Sequence, residues 1–185
     1  MKIKLKKQIF LKALPAVLFI AVMVAVIYIS YENRPITSVN YANITLNFRA
    51  DLREASKIPI DPSDLAAYLE VMNAQVKNVT IVFVPATKDQ SLYALEAFEL
   101  SNKLAYGFLV RGFNVTIEAQ NVSSYEGIYG RIDNPIIMLV HPEYSNETSI
   151  TLSYPHLITI KAKTANDFDL VVAKFLMAAL RIDIE

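Results

Sequence analysis

Residues 79–84 read Val-Thr-Ile-Val-Phe-Val, and only Thr80 interrupts a run that is apolar on both alternating faces. A strand that turns neither face to water is typical of a parallel sheet with helices on both sides. We therefore predict that this run forms the centre of the sheet and that the domain around it is of the α/β class.

Further β-branched runs alternate with segments of helical period around this strand. The predicted strands are residues 41–48, 79–84, 115–119, 136–140 and 156–162. Three helices are predicted. The first is capped by Asp61, has Pro62 at its first position and ends near Gln75, and the second lies between Asp89 and Arg111 and stops at Gly112. The third runs from Ala165 to about Arg181 and begins with a capping box of Thr164 and Asp167.

Each predicted helix has an apolar stripe at three-to-four spacing that we assign to the core. The stripes are Leu65, Tyr68, Leu69, Met72 and Val76 in the first helix, Leu92, Leu95, Phe98, Leu104, Phe108 and Leu109 in the second, and Phe168, Val171, Val172, Phe175, Leu176, Ala179 and Leu180 in the third. This order of elements predicts a Rossmann-like or flavodoxin-like three-layer domain with a mostly parallel sheet of about five strands. Residues 141–155 lack a helical pattern, so an antiparallel strand at the edge of the sheet is an alternative for this segment.

A long apolar segment precedes this domain. Residues 13–31 are 19 consecutive residues without a charge, enough for a helix to span a hydrocarbon core of about 30 Å. Bulky residues from Tyr28 to Tyr31 stand where a signal-peptide cleavage site needs small ones, which favours an uncleaved anchor. The predicted organisation is a basic tail at residues 1–12, a single transmembrane helix at 13–31, a linker at 32–40 and an extracytoplasmic α/β domain at 41–185.

The charge distribution predicts the orientation and argues against one class of partner. Five lysines, at positions 2, 4, 6, 7 and 12, precede the apolar segment without any acidic residue. This bias predicts a cytoplasmic N-terminus and a domain on the outer face of the cell membrane. Removing these lysines from the 18 basic residues leaves 13 against 18 acidic ones, a net charge of −5 that disfavours nucleic acid as a partner.

Asn-x-Ser/Thr sequons are more frequent than chance predicts. They occur at Asn43, Asn78, Asn114, Asn121 and Asn146. The 12 Asn and 20 Ser/Thr of the chain would give about one sequon by chance, so the excess predicts a glycosylated outer surface. The alternative is that Asn-Val-Thr and Asn-Ile-Thr mark turns that lead into strands, because Asn favours turns and β-branched residues favour strands.

Loops beyond the carboxyl ends of parallel strands are the usual place for a ligand. Thr87 and Lys88 follow the second predicted strand and Lys163 follows the fifth, each near a helix N-terminus that could help to bind an anion. His141 follows the fourth strand and is the candidate for a catalytic base.

Signatures of common α/β enzymes are absent from the sequence. It contains no Gly-x-Ser-x-Gly elbow, no Gly-x-Gly-x-x-Gly turn, no phosphate loop and no His-Glu-x-x-His helix. The absence of Cys excludes thiolate ligands. A site of His141 and His156 with Glu143 or Asp133 has no spacing typical of a metal motif, so we predict neither a metal nor a cofactor.

These features favour a non-enzymatic, membrane-anchored module that binds a protein partner in a prokaryotic envelope complex, such as that of an archaeon. Two alternatives remain open: an unfamiliar hydrolase or transferase with His141 as its base, and a small-anion-binding domain. Both would use the loops at the carboxyl ends of the strands. An open pocket there favours these alternatives, whereas a filled edge with an apolar patch elsewhere favours partner binding.

The orientation is testable on intact cells. Protease added from outside should degrade the domain and leave a tag at residue 1 uncut, because the five lysines hold the N-terminus in the cytoplasm. A protected domain together with a cleaved tag would show the inverted topology.

Overall fold

The computed structural model describes residues 37–184, and the predicted basic tail and transmembrane segment lie outside this range. Within it, no helix combines the length and the apolar character needed to cross a membrane. The described residues form an α/β fold with a mixed six-stranded sheet, a separate two-stranded hairpin and four helices.

Eight strands and four helices follow one another along the chain. The strands are β1 (Thr37–Tyr41), β2 (Ile44–Phe48), β3 (Ile60–Asp61), β4 (Asn78–Phe83), β5 (Thr116–Asn121), β6 (Ile136–Val140), β7 (Ser149–Ser153) and β8 (Leu157–Lys161). The helices are α1 (Leu52–Ser56), α2 (Asp64–Val71), α3 (Ser91–Val110) and α4 (Ala165–Leu180), and a 3₁₀ turn covers Pro142–Tyr144.

Four parallel strands form the body of the sheet, whose order is β3-β7-β8-β6-β4-β5. β4 pairs in parallel with β5 and β6, and β6 with β8, so the predicted direction of these four strands is confirmed. β7 forms in the segment without a helical pattern and runs antiparallel to β8, while the short β3 pairs in parallel with β7 at the edge. The sheet therefore has six strands where the pattern predicts about five, and four of the six are parallel while β7 and β3 run the other way.

All four helices bury their side chains on one face of the sheet. Ile81 of β4 and Ile137 of β6 join a large core that includes buried residues from every helix. The alternate residues Val82 and Met138 belong to a small second cluster, which the segment from Val122 to Ile128 covers. The prediction of a three-layer domain is therefore wrong for residues 37–184, because an irregular segment covers the second face where a helix is expected.

The last helix, α4, lies at the centre of the large core. Thr164 accepts a hydrogen bond from the Asp167 amide at 3.1 Å, as the capping box predicts. Every residue from Val171 to Leu180 is buried, because the sheet lies on one side of α4 and the other three helices pack around it. Even Lys174 is buried, with its Nζ 2.7 Å from Asp64 Oδ2. The predicted bounds of this helix are confirmed and all residues of the predicted stripe are buried, but the residues between Val171 and Leu180 that lie outside the stripe are buried as well.

The predicted start of α2 is wrong, and its predicted stripe is partly right. The helix begins at Asp64, and the hydroxyl of Ser63, not the Asp61 side chain, caps it by accepting from the Ala66 amide. Leu65 and Leu69 are more than half exposed, whereas Tyr68 packs against the core and Met72 and Val76 are buried. The helix ends at Val71, before the predicted end near Gln75. The buried residues of this helix are Ala67 and Val71, which lie between the predicted positions.

The stripe predicted for α3 is partly right. Leu104 and Phe108 are buried, but Phe98 and Leu109 are exposed. Gly107 lies against α4, because a Cβ at this position would overlap Leu180 Cδ2. The glycine lets α3 approach α4 closely, and Phe98 and Leu109 lie on the opposite side of the helix from it.

Residues 41–48 form most of a hairpin rather than the single predicted strand. β1 begins at Thr37, inside the predicted linker, and pairs antiparallel with β2. Ala42 and Asn43 have φ angles of 49° and 69°. Two consecutive positive φ angles are typical of a two-residue type I′ turn, which suits the twist of a hairpin.

Substitution of Phe175 tests the central position of α4. Phe175→Asp should unfold the domain, because an unpaired charge in this core costs several kcal/mol against a total stability of about 5–15 kcal/mol. The matched control is Asn166→Asp, which adds the same charge at an exposed position in the first turn of the same helix. Equal melting temperatures for the two variants, measured by circular dichroism, would contradict the position of this helix.

Candidate functional site

The predicted ligand-binding residues lie at one edge of the sheet. Lys88 follows β4, His141 follows β6 and Lys163 follows β8. Since these three strands are parallel, the residues share the carboxyl-end edge. Lys88 and Lys163 are exposed there, whereas His141 is only 4% exposed.

Two tyrosine hydroxyls fill the space beside His141. Tyr93 Oη accepts a hydrogen bond from the His141 amide at 3.2 Å and lies 2.9 Å from Tyr125 Oη. Tyr125 Oη in turn donates to the Leu139 carbonyl at 2.9 Å. Burial, and then the hydrogen bond with Tyr125, raises the pKa of Tyr93. The phenol therefore stays neutral and serves as a donor and acceptor inside the domain.

Glu143 occupies the position at Thr87 that a bound anion would take. Its carboxylate accepts hydrogen bonds from the Thr87 hydroxyl and from the Thr87 amide, the latter at 2.8 Å. These two bonds, the hydroxyl first, lower the pKa of Glu143. Tyr144 Oη adds a 2.8 Å bond to the Pro85 carbonyl, so the loops after β4 and β6 are joined. An anion at Thr87 would have to displace the chain's own carboxylate.

The ring of His141 is held in one orientation. Its Nδ1 accepts from the Glu143 amide at 3.1 Å, so the neutral ring carries its proton on Nε2. Nε2 is buried and has no hydrogen-bond partner among the described residues. A general base has to reach the proton that it abstracts. The catalytic role of His141 stays a prediction, and it requires the loop with Glu143 to move.

The two histidines lie at opposite ends of the sheet. His141 follows the end of β6, whereas His156 precedes the start of β8, the parallel neighbour of β6. A five-residue strand spans about 16 Å, so the pair cannot hold one metal ion. Across residues 37–184, no three His, Asp or Glu side chains are grouped in a way that could hold a metal.

A second histidine site, which the sequence patterns do not predict, lies at the amino ends of the parallel strands. His156 Nδ1 is 2.7 Å from Glu70 Oε1 on α2, and both side chains are about one quarter exposed. A groove of about 440 Å³ opens beside this pair. Its lining residues are Pro62, Ala66, Leu69, Glu70, Asn73, Ile132, Leu152, Ser153, Tyr154 and His156. We call this the amino-end groove.

The backbone holds His156 at the groove in a left-handed conformation, with φ of 50°. The Ile136 amide donates to the His156 carbonyl at 3.0 Å, and the Gly130 amide donates to the Pro155 carbonyl at 2.9 Å. A Cβ on Gly130 would lie 2.2 Å from the His156 carbonyl oxygen, so only glycine permits this approach. Gly130 was the one local signal for this site, because the His156–Glu70 contact joins residues 86 positions apart.

Large apolar side chains stand on the rim of the amino-end groove. Leu69 is 55% exposed, Ile132 50% and Tyr154 93%. Exposed apolar side chains grouped around one groove mark a binding surface more often than single scattered residues do. No family model, curated protein or solved structure matches this chain, so its function is inferred from this geometry.

A partly buried polar cluster joins α3, α4 and the residue after β2. Glu96 on α3 is 1% exposed, and burial, followed by its hydrogen bond with Asp169 on α4, raises its pKa to about 9. Glu96 is therefore protonated at neutral pH. Arg49 Nη2 also lies 3.8 Å from Oδ1 of Asp169. This cluster links the two longest helices inside the core.

The Glu96 carboxyl predicts a pH dependence of folding. Between pH 4.5 and about 9 the unfolded chain releases a proton that the native chain keeps, so the free energy of unfolding should fall as pH rises, by at most about 1.4 kcal/mol per pH unit. Glu96→Gln should be more stable than the wild type at pH 8 and should flatten this slope. Denaturant titrations at several pH values measure it, with exposed Glu118→Gln as the control. Parallel profiles for wild type and Glu96→Gln would refute the assignment.

Proposed function

We propose that this chain is a membrane-anchored extracytoplasmic module that binds a protein partner in a prokaryotic envelope complex, and that the partner occupies the amino-end groove. The single observation that carries the proposal is the exposed apolar rim of Leu69, Ile132 and Tyr154 around that groove. Apolar side chains left in water are the part of a surface that gains most free energy when a partner covers them.

The composition of the groove suits a protein partner. Tyr154 extends almost fully into solvent and offers a large, stiff side chain of the type that anchors protein interfaces. The His156–Glu70 pair supplies a polar centre among apolar neighbours. Such a pair would give direction to a hydrogen bond from the partner, while the surrounding rim excludes water.

The membrane anchor and the orientation belong to the same proposal. They rest on the uncharged residues 13–31 and on the five lysines before them. The asparagines of all five sequons are exposed in the domain, which is consistent with a glycosylated outer surface. On this proposal the domain stands on the outer face of the cell membrane with its groove open to envelope proteins.

The carboxyl-end edge supports binding over catalysis. Glu143, Tyr93 and Tyr144 fill the space around His141, and the Lys88 backbone also bonds to the Glu143 carboxylate. An enzyme of this sheet type normally keeps that edge open for its substrate.

One contact favours a second candidate, a hydrolase or transferase in which His156 is the base. Glu70 bonds to His156 Nδ1, which leaves Nε2 to accept a proton from a substrate in the groove. A carboxylate that orients an imidazole in this way is a common feature of catalytic bases. This candidate moves the catalytic role from His141 to His156.

Site-specific photo-crosslinking in intact cells tests the binding proposal. A photoreactive residue at position 154 should give one discrete protein adduct, because the partner covers Tyr154. The matched control is position 98, where Phe98 is another exposed aromatic residue, on α3, and should give none. Leu69→Ser, at an exposed site that leaves the core intact, should weaken the adduct severalfold.

Equal adducts at positions 154 and 98, or none at either, would contradict the binding proposal. Absence of an adduct, together with ester or phosphoester hydrolysis by the purified full chain that Glu70→Gln abolishes, would instead support the second candidate.

A further inference from the structure

We propose that Asn114 and Asn121 carry N-linked glycans that shield the free edge of β5 from pairing with a second copy of this chain, and that Asn78 stays unmodified. This inference rests on the extracytoplasmic position in the proposed function, since the oligosaccharide is transferred on that side of the membrane.

The two edges of the sheet differ in their exposure to a new strand. One edge is β3, which has two residues, and the other is β5, which has six. Five of the six side chains of β5 are exposed, and Glu118 is the only charged one. A long exposed edge with little charge is a template for pairing with another chain, which proteins usually prevent with charge, proline or a cover.

The hydrogen bonds of β5 show which amides are free. The amide of Thr116 donates to the Lys77 carbonyl, and the amide of Val122 donates to the Phe83 carbonyl, so the even-numbered residues face β4. Because the amides of a strand alternate in direction, those of Ile117, Ala119 and Asn121 point to the open edge. A second copy could bond to this row.

Two sequons stand at the two ends of this edge. Asn114 precedes the first residue of β5 by two positions, and Asn121 is its last residue. Both asparagines are exposed, as are Thr116 and Ser123, the hydroxyl residues of their sequons. Six residues of strand span about 20 Å, so a bulky glycan at each end would flank the whole edge.

The sequon of Asn78 differs from these two. Asn78 is exposed, but Thr80, its hydroxyl residue, is 3% exposed and donates to Asn134 Oδ1 at 3.0 Å inside the sheet. A sequon is recognised through its Ser or Thr as well as through its Asn. The folded domain therefore presents Asn114 and Asn121 to a transferase and withholds Asn78.

The donor for this modification is a lipid-phosphate-linked oligosaccharide. A bond forms between Asn Nδ2 and the anomeric carbon of the sugar, and the bond from that carbon to the phosphate oxygen breaks. The lipid phosphate leaves with the electron pair, and a base of the transferase takes the proton lost from Nδ2.

The first experiment maps the glycans on the full chain, purified from the membrane of a cell that glycosylates sequons. A tag with one sequon, added after residue 185, reports whether the domain reaches the transferase. We expect glycopeptides from the tag, Asn114 and Asn121, and an unmodified peptide from Asn78. A tag without a glycan would show that the extracytoplasmic placement fails. A glycosylated tag together with unglycosylated Asn114 and Asn121 would overturn this inference alone. Occupancy of Asn78 equal to that of Asn114 would overturn the selection by the folded domain.

The second experiment measures self-association of the detergent-solubilised full chain by light scattering. The variant Asn114→Gln/Asn121→Gln should shift from the mass of one chain towards that of two or more. Adding Ala119→Lys, which places a charge at an exposed position of the edge, should return the mass to one chain. A glycan-free variant that stays at the mass of one chain at the same concentration would overturn the shielding role.

Discussion

The burial of α4 on every side is the constraint on which the rest of the domain depends. A helix that is apolar all round needs neighbours in all directions, and ten consecutive residues of α4 are removed from water. The sheet covers one side, and α1, α2 and α3 cover the others. The need to cover α4 on all sides accounts for the position of all four helices on one face of the sheet. It also leaves the second face of the sheet to an irregular segment, which covers only a small apolar cluster.

The elements with strong local signals could be predicted from the sequence, whereas the depth at which each residue lies could not. The cap of α4 and the four parallel strands depend on short-range patterns, and they appear as those patterns indicate. An apolar stripe, however, assumes that a helix has one covered side. Lys174 is buried because α4 has no open side, and its charge meets Asp64. Phe98 is exposed because it lies on the opposite side of α3 from Gly107, which packs against α4.

For the candidate sites too, the sequence predicts which residues share an edge but not which side chains touch there. Strand direction alone predicted that Lys88, His141 and Lys163 share an edge, because parallel strands end together. It could not predict that the space around His141 is filled. The Glu143 carboxylate reaches Thr87 across 56 positions of sequence, and the His156–Glu70 contact spans 86. Contacts at such separations depend on the completed fold, so no spacing rule reveals them.

The antiparallel strand β7 explains why the open groove lies at the unusual end of the sheet. In an all-parallel domain the amino ends of the strands receive connections from helices, and ligands meet the loops at the carboxyl ends. Here β7 runs the other way, so the turn that joins it to β8 brings Tyr154 and His156 to the amino ends. α2 runs past the same end and contributes Leu69 and Glu70. The reversal of one strand therefore builds a concave surface where this class of sheet usually has none, while the chain's own Glu143 occupies the part of the carboxyl-end edge beside Thr87 and His141.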